Sequence, residues 1–173
     1  MENVLDIVFK RRSIRKYKSQ AVESEKVEIL LKAAMAAPTA MNMQPWKFVV
    51  ITDEEVLGKI RQALVFGNMN APMAVAVCGN LAAFKKPLTE RFWVQDCSAA
   101  SQNILLAATA LGLGSVWCGV HPIYTFERRI SDLLGLPKHI VPLNILFIGY
   151  PAEEKEARTQ YLAEHVHYDR YTA

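Results

Sequence analysis

The residue types best suited to chemistry gather near the start of the chain. Lys10, Arg11, Arg12, Arg15, Lys16 and Lys18 fall between Asp6 and Glu23 with no acidic residue among them. Arginine presents a planar fork that grips a phosphate with two hydrogen bonds, and Ser13 adds a short hydroxyl donor among these cations, so the cluster can form an anion site. A second reading stands beside it: a solvated basic turn whose cations favour the C-terminus of a preceding helix, each worth roughly 0.3 to 1 kcal/mol. Local sequence leaves both open. A second polar stretch, PTAMNMQPW, sets Thr39, Asn42 and Gln44 between Pro38 and Pro45. These are short polar groups in a loop, although an Asn-containing turn followed by a strand needs no ligand.

Other chemistries find no support. Gly112-Leu113-Gly114 looks like half a dinucleotide fingerprint, but it follows a helical pattern instead of a strand, and Trp117 stands where the third glycine belongs. There is no GxSxG, no HExxH and no acid pair placed for glycoside chemistry. For His165 and His167 a surface or packing role is expected over a metal site. A cleft without a nucleophile or metal suits hydride transfer, where a cofactor carries the reaction and the protein supplies position and electrostatics. The net charge of +3 is small and no recognition-helix signature accompanies it, so neither nucleic acid nor a membrane surface is indicated as a partner. Three cysteines without a CxxC, and an N-terminus carrying Asp6, Lys10 and Arg11 where a signal segment would be apolar, fit reduced thiols in a cytoplasmic protein.

These residues need a scaffold, and its centre is legible. No Asp, Glu, Lys or Arg occurs between Asp96 and Glu127, so this stretch must be buried. Residues 97–111 read as a central helix capped by Asp96, with Gly112 and Gly114 suited to a left-handed stop. Polar residues interrupt it too often for a membrane span. Its small residues permit close approach of a neighbouring backbone, including that of a second copy. After the glycines, residues 115–120 turn β-like. Before this core, Val4, Leu5 and Val8 mark a helix that Asn3 can cap, and Val27, Leu30, Leu31 and Ala34 mark another over residues 24–35, ended by Pro38. Trp46 opens a strand, Asp53 caps a helix with Val56, Ile60, Ala63 and Leu64 on one face, and residues 73–78 form a strand. Residues 80–94 show no clean period and read as a loop or mobile cover, in which Phe84 and Trp93 are either packing or a substrate mouth. Phe126, Ile130, Leu133 and Leu134 mark a short helix closed by Gly135 and Pro137, and residues 143–149 a last strand.

RRSIRKY, followed after one helix by APTAMNMQPWKFVV, resembles the opening of the nitroreductase family, FMN-dependent NAD(P)H oxidoreductases whose usual forms are R-x-S-x-R/K and P-S-S-x-N-x-Q-P-W. NAPMAVAVC, QNILLAATALGLGSVWCGV, IGYPAEEK with a basic residue after it and the VHYDRY ending follow in the family's order, so the resemblance covers nearly the whole chain. It implies one α+β domain over residues 1–173, a three-layer fold with a central, mainly antiparallel sheet between helices, and a C-terminal segment exchanged in a homodimer. By this resemblance Arg11, Arg12, Ser13 and Arg158 hold the phosphate and ribityl chain of FMN. The family's second basic position in the tail is Gln160 here, which leaves the grip one charge weaker. Arg15 matches a basic residue beside the pyrimidine edge of the flavin, where a charge ~4 Å from an anion contributes up to about 4 kcal/mol at an effective dielectric of 20. Pro38, Thr39, Ala40, Met41 and Asn42 match a loop reaching the flavin from the other subunit, with Thr39 and Ala40 replacing the usual serines. Trp117, Cys118, Gly119 and Val120 match the segment lying against the ring, with the Gly119 N–H donating to its N5. The activity implied is ping-pong: NAD(P)H as transient co-substrate, then a small-molecule acceptor such as a nitroaromatic, quinone or flavin, with no metal. A flavin-binding module without turnover and a specialised member acting on one metabolite or on the flavin itself are the alternatives.

Overall fold

The computed structural model describes residues 3–84 and 90–171. Each helix starts or stops where a local group satisfies its end. Helix α1 (Val4–Lys10) begins with Asn3 Oδ1 accepting the Leu5 N–H at 3.2 Å. Helix α2 (Ser24–Met35) spans the expected residues and buries Leu30 and Ala34. Asp53 caps α3 (Glu54–Ala63) by accepting the Val56 N–H at 2.9 Å, and Leu57, Ile60 and Ala63 form its inner face. Helix α4 (Trp93–Ala110) is the longest described helix, and Gly112 beyond it is left-handed at φ 73°. Helix α5 (Tyr124–Leu134) ends on Gly135 at φ 62°.

Strands β1 (Trp46–Ile51), β2 (Met73–Asn80), β3 (Gly114–Gly119) and β4 (Ile140–Gly149) form one sheet in the order β1-β2-β4-β3, with every neighbouring pair antiparallel. The two central strands are covered on both faces, so they read as continuous apolar runs. Alternation still assigns the faces. Ala74, Ala76 and Cys78 of β2 meet the core under α3 and α5, while Met73, Val75 and Val77 meet the core under α2 and α4. The three-layer α+β architecture is therefore present: two helix layers with an antiparallel sheet between them. A bulge between Val77 and Cys78 shifts the register on β4. It lets Leu143 join Leu146 and Ile148 on the α4 side.

The start of α4 corrects the sequence reading. The helix begins at Trp93, a turn before Cys97, and Asp96 is inside its first turn and buried instead of capping it. Residues Trp93, Asp96, Cys97, Ala100, Ser101, Ile104, Leu105 and Ala108 keep the 3–4 spacing of one buried face, which extends the helical period back to the tryptophan. Trp93 lies over Gly79, where an added Cβ would be 2.3 Å from Trp93 Cε3. Gly114 is not a helix stop but a strand residue, and an added Cβ there would be 2.8 Å from Ile14 Cγ2. Of residues 80–94, read as a loop, Asn80 ends β2, Leu81–Ala83 is a 3₁₀ turn and Phe84 packs on the α4 core. Trp93 is core packing as well, while Lys85, Lys86 and Pro87 lie outside the described residues.

Candidate active site

Beyond α1 the chain runs extended along the edge of the sheet. Ser13 bridges Ser115 of β3, Ile14 N donates to Ser115 O at 3.0 Å, and Lys18 N donates to Tyr150 O at 2.9 Å. Ile14 and Tyr17 turn inward, and Tyr17 is 2% exposed with its hydroxyl 2.5 Å from Ile14 O and 3.2 Å from Phe147 O. Burial drives the phenol pKa far up, so it stays protonated. Asn70 grips the same residue from the other side: Oδ1 accepts Tyr17 N–H at 3.0 Å and Nδ2 donates to Tyr17 O at 2.7 Å. With two anchors inward, the intervening polar residues face out.

Beside this edge lies a cavity of about 160 Å³ lined by Arg11, Arg12, Ser13, Arg15, Lys155 and Arg158. Five cations and one serine make its wall. The C-terminal segment is zipped to the basic stretch by Ala152 N donating to Lys16 O (2.9 Å), Arg158 N to Phe9 O (2.9 Å) and Lys155 Nζ to Ser13 O (2.6 Å), and by a contact from Arg12 Nη1 to Glu156 O. Glu153 Oε1 accepts the Arg15 N–H at 2.5 Å and stands 3.2 Å from Lys155 Nζ. Those partners, the backbone N–H first, hold its carboxyl below the usual range. Arg11 is pulled the other way for a cation: burial, then Arg158 and Arg12, lower its pKa. A guanidinium crowded by like charges is relieved by an anion. The volume suits a phosphate group, being below the 300 Å³ or so of a site that encloses a whole small ligand. An adjoining cavity of about 540 Å³ shares Arg12 and Lys155, but Glu153 and Glu154 line it too, and it lacks a single sign.

The second polar stretch lies elsewhere. Pro38 and Thr39 lead into a 3₁₀ turn, Ala40–Asn42, in which Met41 (φ 52°) and Asn42 (φ 53°) are left-handed, and Gln44 (φ 50°) follows suit. Side chains brace it: Gln44 N donates to Thr39 Oγ1 at 3.1 Å and Gln44 Nε2 to Asn42 Oδ1 at 3.0 Å. Ala40 N donates to Asp96 Oδ1 at 2.8 Å, which fastens the turn to the start of α4. No residue of this turn lines the cationic cavity within one protomer. Further along β3 from Ser115, Trp117 is half-buried, Cys118 and Val120 turn into the core, and Gly119 is exposed with open space where a Cβ would stand. Val120 offers no free donor, since its N–H bonds Leu143 O at 3.0 Å. Burial pushes the Cys118 thiol up to about 11, and Cys78 and Cys97 to about 12, so none is a ready nucleophile.

The family model described as "Nitroreductase family" matches residues 8–72 and 66–150. The chain belongs to the nitroreductase family. It is 44% identical over 176 aligned residues to an Archaeoglobus fulgidus protein provisionally named NADH dehydrogenase/NAD(P)H nitroreductase, covering 99% of this chain and 100% of that one. A solved structure from Bacteroides thetaiotaomicron with the same provisional name superposes at TM-score 0.92 with 37% identity over 99% of this chain and 100% of that one. Another, a provisionally named nitroreductase from Desulfovibrio desulfuricans solved in complex with FMN, gives TM-score 0.81 and 30% identity over 99% of this chain and 100% of that one.

In this chain, Arg11, Arg12, Ser13, Arg15 and Arg158 meet at one cavity, and residues 38–42 and 117–120 stand apart from it. Two residues of the arrangement escaped the sequence reading. Lys155 is hidden among Glu153, Glu154 and Glu156, and only the reversal of the chain brings it to Ser13, 142 positions away. Asp96 carries the signal of a helix cap and gives no sign that its partner is Ala40. Among the described residues no group of three or more His, Cys, Asp or Glu can hold a metal. His167 stacks with Tyr171 at 4.3 Å, a packing contact.

Proposed function

We propose that this chain is a single-domain, cytoplasmic FMN-dependent NAD(P)H oxidoreductase, working by ping-pong on a small acceptor such as a nitroaromatic, quinone or flavin, as a homodimer with FMN at the subunit interface. Membership of the nitroreductase family and the FMN held by the Desulfovibrio relative support the cofactor. The observation that carries the reading to this chain is the cavity walled by five cations and one serine, a match in sign and size for a phosphomonoester. When bound, FMN supplies the redox chemistry, accepting a hydride and passing electrons on.

The protein's own work is binding and placement. Arg11, Arg12, Ser13 and Arg158 hold the phosphate, and Lys155 adds the cation that Gln160 does not provide. Arg15, in the same wall, sets a positive charge toward the pyrimidine edge of the ring. Gly119 leaves room for a flat ring against the backbone of β3, and Trp117, Cys118 and Val120 shape that strand end. Residues 38–42 do not reach this cavity in their own protomer, which agrees with their serving the partner's ring. No helix among the described residues is long and apolar enough to cross a membrane. The purified protein is expected to be yellow, to bind one FMN per chain and to bleach with NAD(P)H without oxygen. Arg11→Ala and Arg158→Ala should each weaken FMN tenfold or more in a fluorescence titration, since hydrogen bonds to charged groups are worth about 1.5 to 3 kcal/mol. Wild-type apoprotein that takes up no FMN would refute the proposal.

A further inference from the structure

Among the described residues Asp96 is the one buried acidic side chain. The residue is 4% exposed, on the inner face of α4. Oδ1 has the Ala40 N–H, while Oδ2 is buried without a hydrogen-bond partner. A buried carboxylate needs most of its lone pairs satisfied to offset desolvation, so a half-satisfied one weakens the fold compared with an apolar residue of similar shape. Burial accordingly raises its pKa. The residue it holds leads straight into the strained part of the chain: Met41, Asn42 and Gln44 are all left-handed without being glycine. Such conformations persist where the surroundings over-determine them. Here the determinants are the Thr39–Gln44 and Asn42–Gln44 bonds inside the turn and the Asp96 bond that ties it to a rigid helix.

We propose that Asp96 is the positioning residue of the cofactor loop: by holding the Ala40 N–H it fixes residues 39–42 in the left-handed turn that presents them to the flavin. The inference rests on the FMN reading above, because it takes this turn to be part of the flavin's environment. Asp96 touches no ligand itself and acts through the backbone of Ala40. Its cost in stability and its orphan oxygen are what a residue kept for position would show.

The test compares FMN affinity with the stability of the apoprotein in three variants. Asp96→Leu keeps the branching of the side chain at Cγ and removes the acceptor. Its apoprotein should melt at or above the wild-type temperature, while its FMN dissociation constant rises about tenfold, the equivalent of 1.4 kcal/mol. Asp96→Asn keeps an oxygen for the Ala40 N–H and should restore affinity to within about threefold of wild type, which a packing role would not require. Asp96→Ala, with no bulk to accommodate, stands in should the leucine variant not fold, and should also bind about tenfold more weakly. Wild-type affinity in the Leu and Ala variants, or an Asn variant no better than Leu, would overturn the proposal while leaving the FMN reading intact. A wild-type protein that does not bind FMN removes both.

Discussion

Glu153 shows how one side chain tunes the cationic cavity. Read along the chain it belongs to a polar acidic tail, yet its carboxylate accepts the Arg15 N–H at 2.5 Å and pairs with Lys155 at 3.2 Å. Its folded pKa lies below the ordinary 4.5, so it stabilises the zipper between residues 10–18 and 151–158 above that pH, and the contribution disappears as pH falls through the folded value. Glu153→Gln keeps an oxygen for the backbone N–H and removes the charge. The melting temperature of wild type should exceed that of the variant at pH 7, with the gap closing below about pH 4.5; a gap unchanged down to pH 3 would show that the charge is idle. The same variant should bind inorganic pyrophosphate more tightly at low salt, an advantage lost near 1 M, where the Debye length falls to about 3 Å. At this scale the sequence revealed the arginines, because their clustering without acids is local. It hid Lys155 and Asp96, whose partners are set by contacts from distant parts of the chain.

At the scale of elements, the helices with strong local punctuation were legible: Pro38 after α2, Asp53 before α3 and Gly135 after α5 each act through neighbouring backbone. The beginning of α4 was not, because an aspartate before an apolar run is a strong cap signal, and what overrides it is tertiary. Trp93 buries its ring over Gly79 of β2 and edge-on to His121 at 4.8 Å, which draws the helix a turn further back. Gly79→Ala therefore puts a methyl into a space the indole already fills. Overpacking of this kind costs about 1 to 3 kcal/mol, to be read as a lower urea midpoint with an unchanged slope, and the tryptophan emission should shift with it. An alanine variant with the wild-type midpoint would mean that Trp93 does not lie over this strand.

The whole molecule leaves apolar surface that one copy does not use. Val4 and Leu5 of α1 are exposed, and a groove of about 340 Å³ runs between α1, α2 and α4, lined by Val8, Ala33, Leu106 and Ala107 among others. Tyr161, Tyr168 and Tyr171 of the C-terminal segment are 72%, 82% and 81% exposed. Soluble monomers seldom display contiguous apolar patches of much more than a few hundred Å². The cationic cavity and residues 38–42 are also separate within one protomer, so a second copy would at once cover the apolar surface and complete the proposed site. The sequence suggested this through the small residues of the central helix and through the family resemblance, since pairing between copies leaves no local period. The protein is expected to sediment at twice 19.4 kDa and to melt at a temperature that rises with concentration. Ending the chain after Gln160 keeps Arg158 and Lys155 but removes the three tyrosines. If that segment is exchanged, the shortened protein should shift toward monomer and lose FMN affinity in parallel, with both restored at higher concentration. A truncated chain that stays dimeric with full affinity would show that the segment contributes nothing to the pairing, and a full-length monomer saturated with FMN would show that one copy is sufficient.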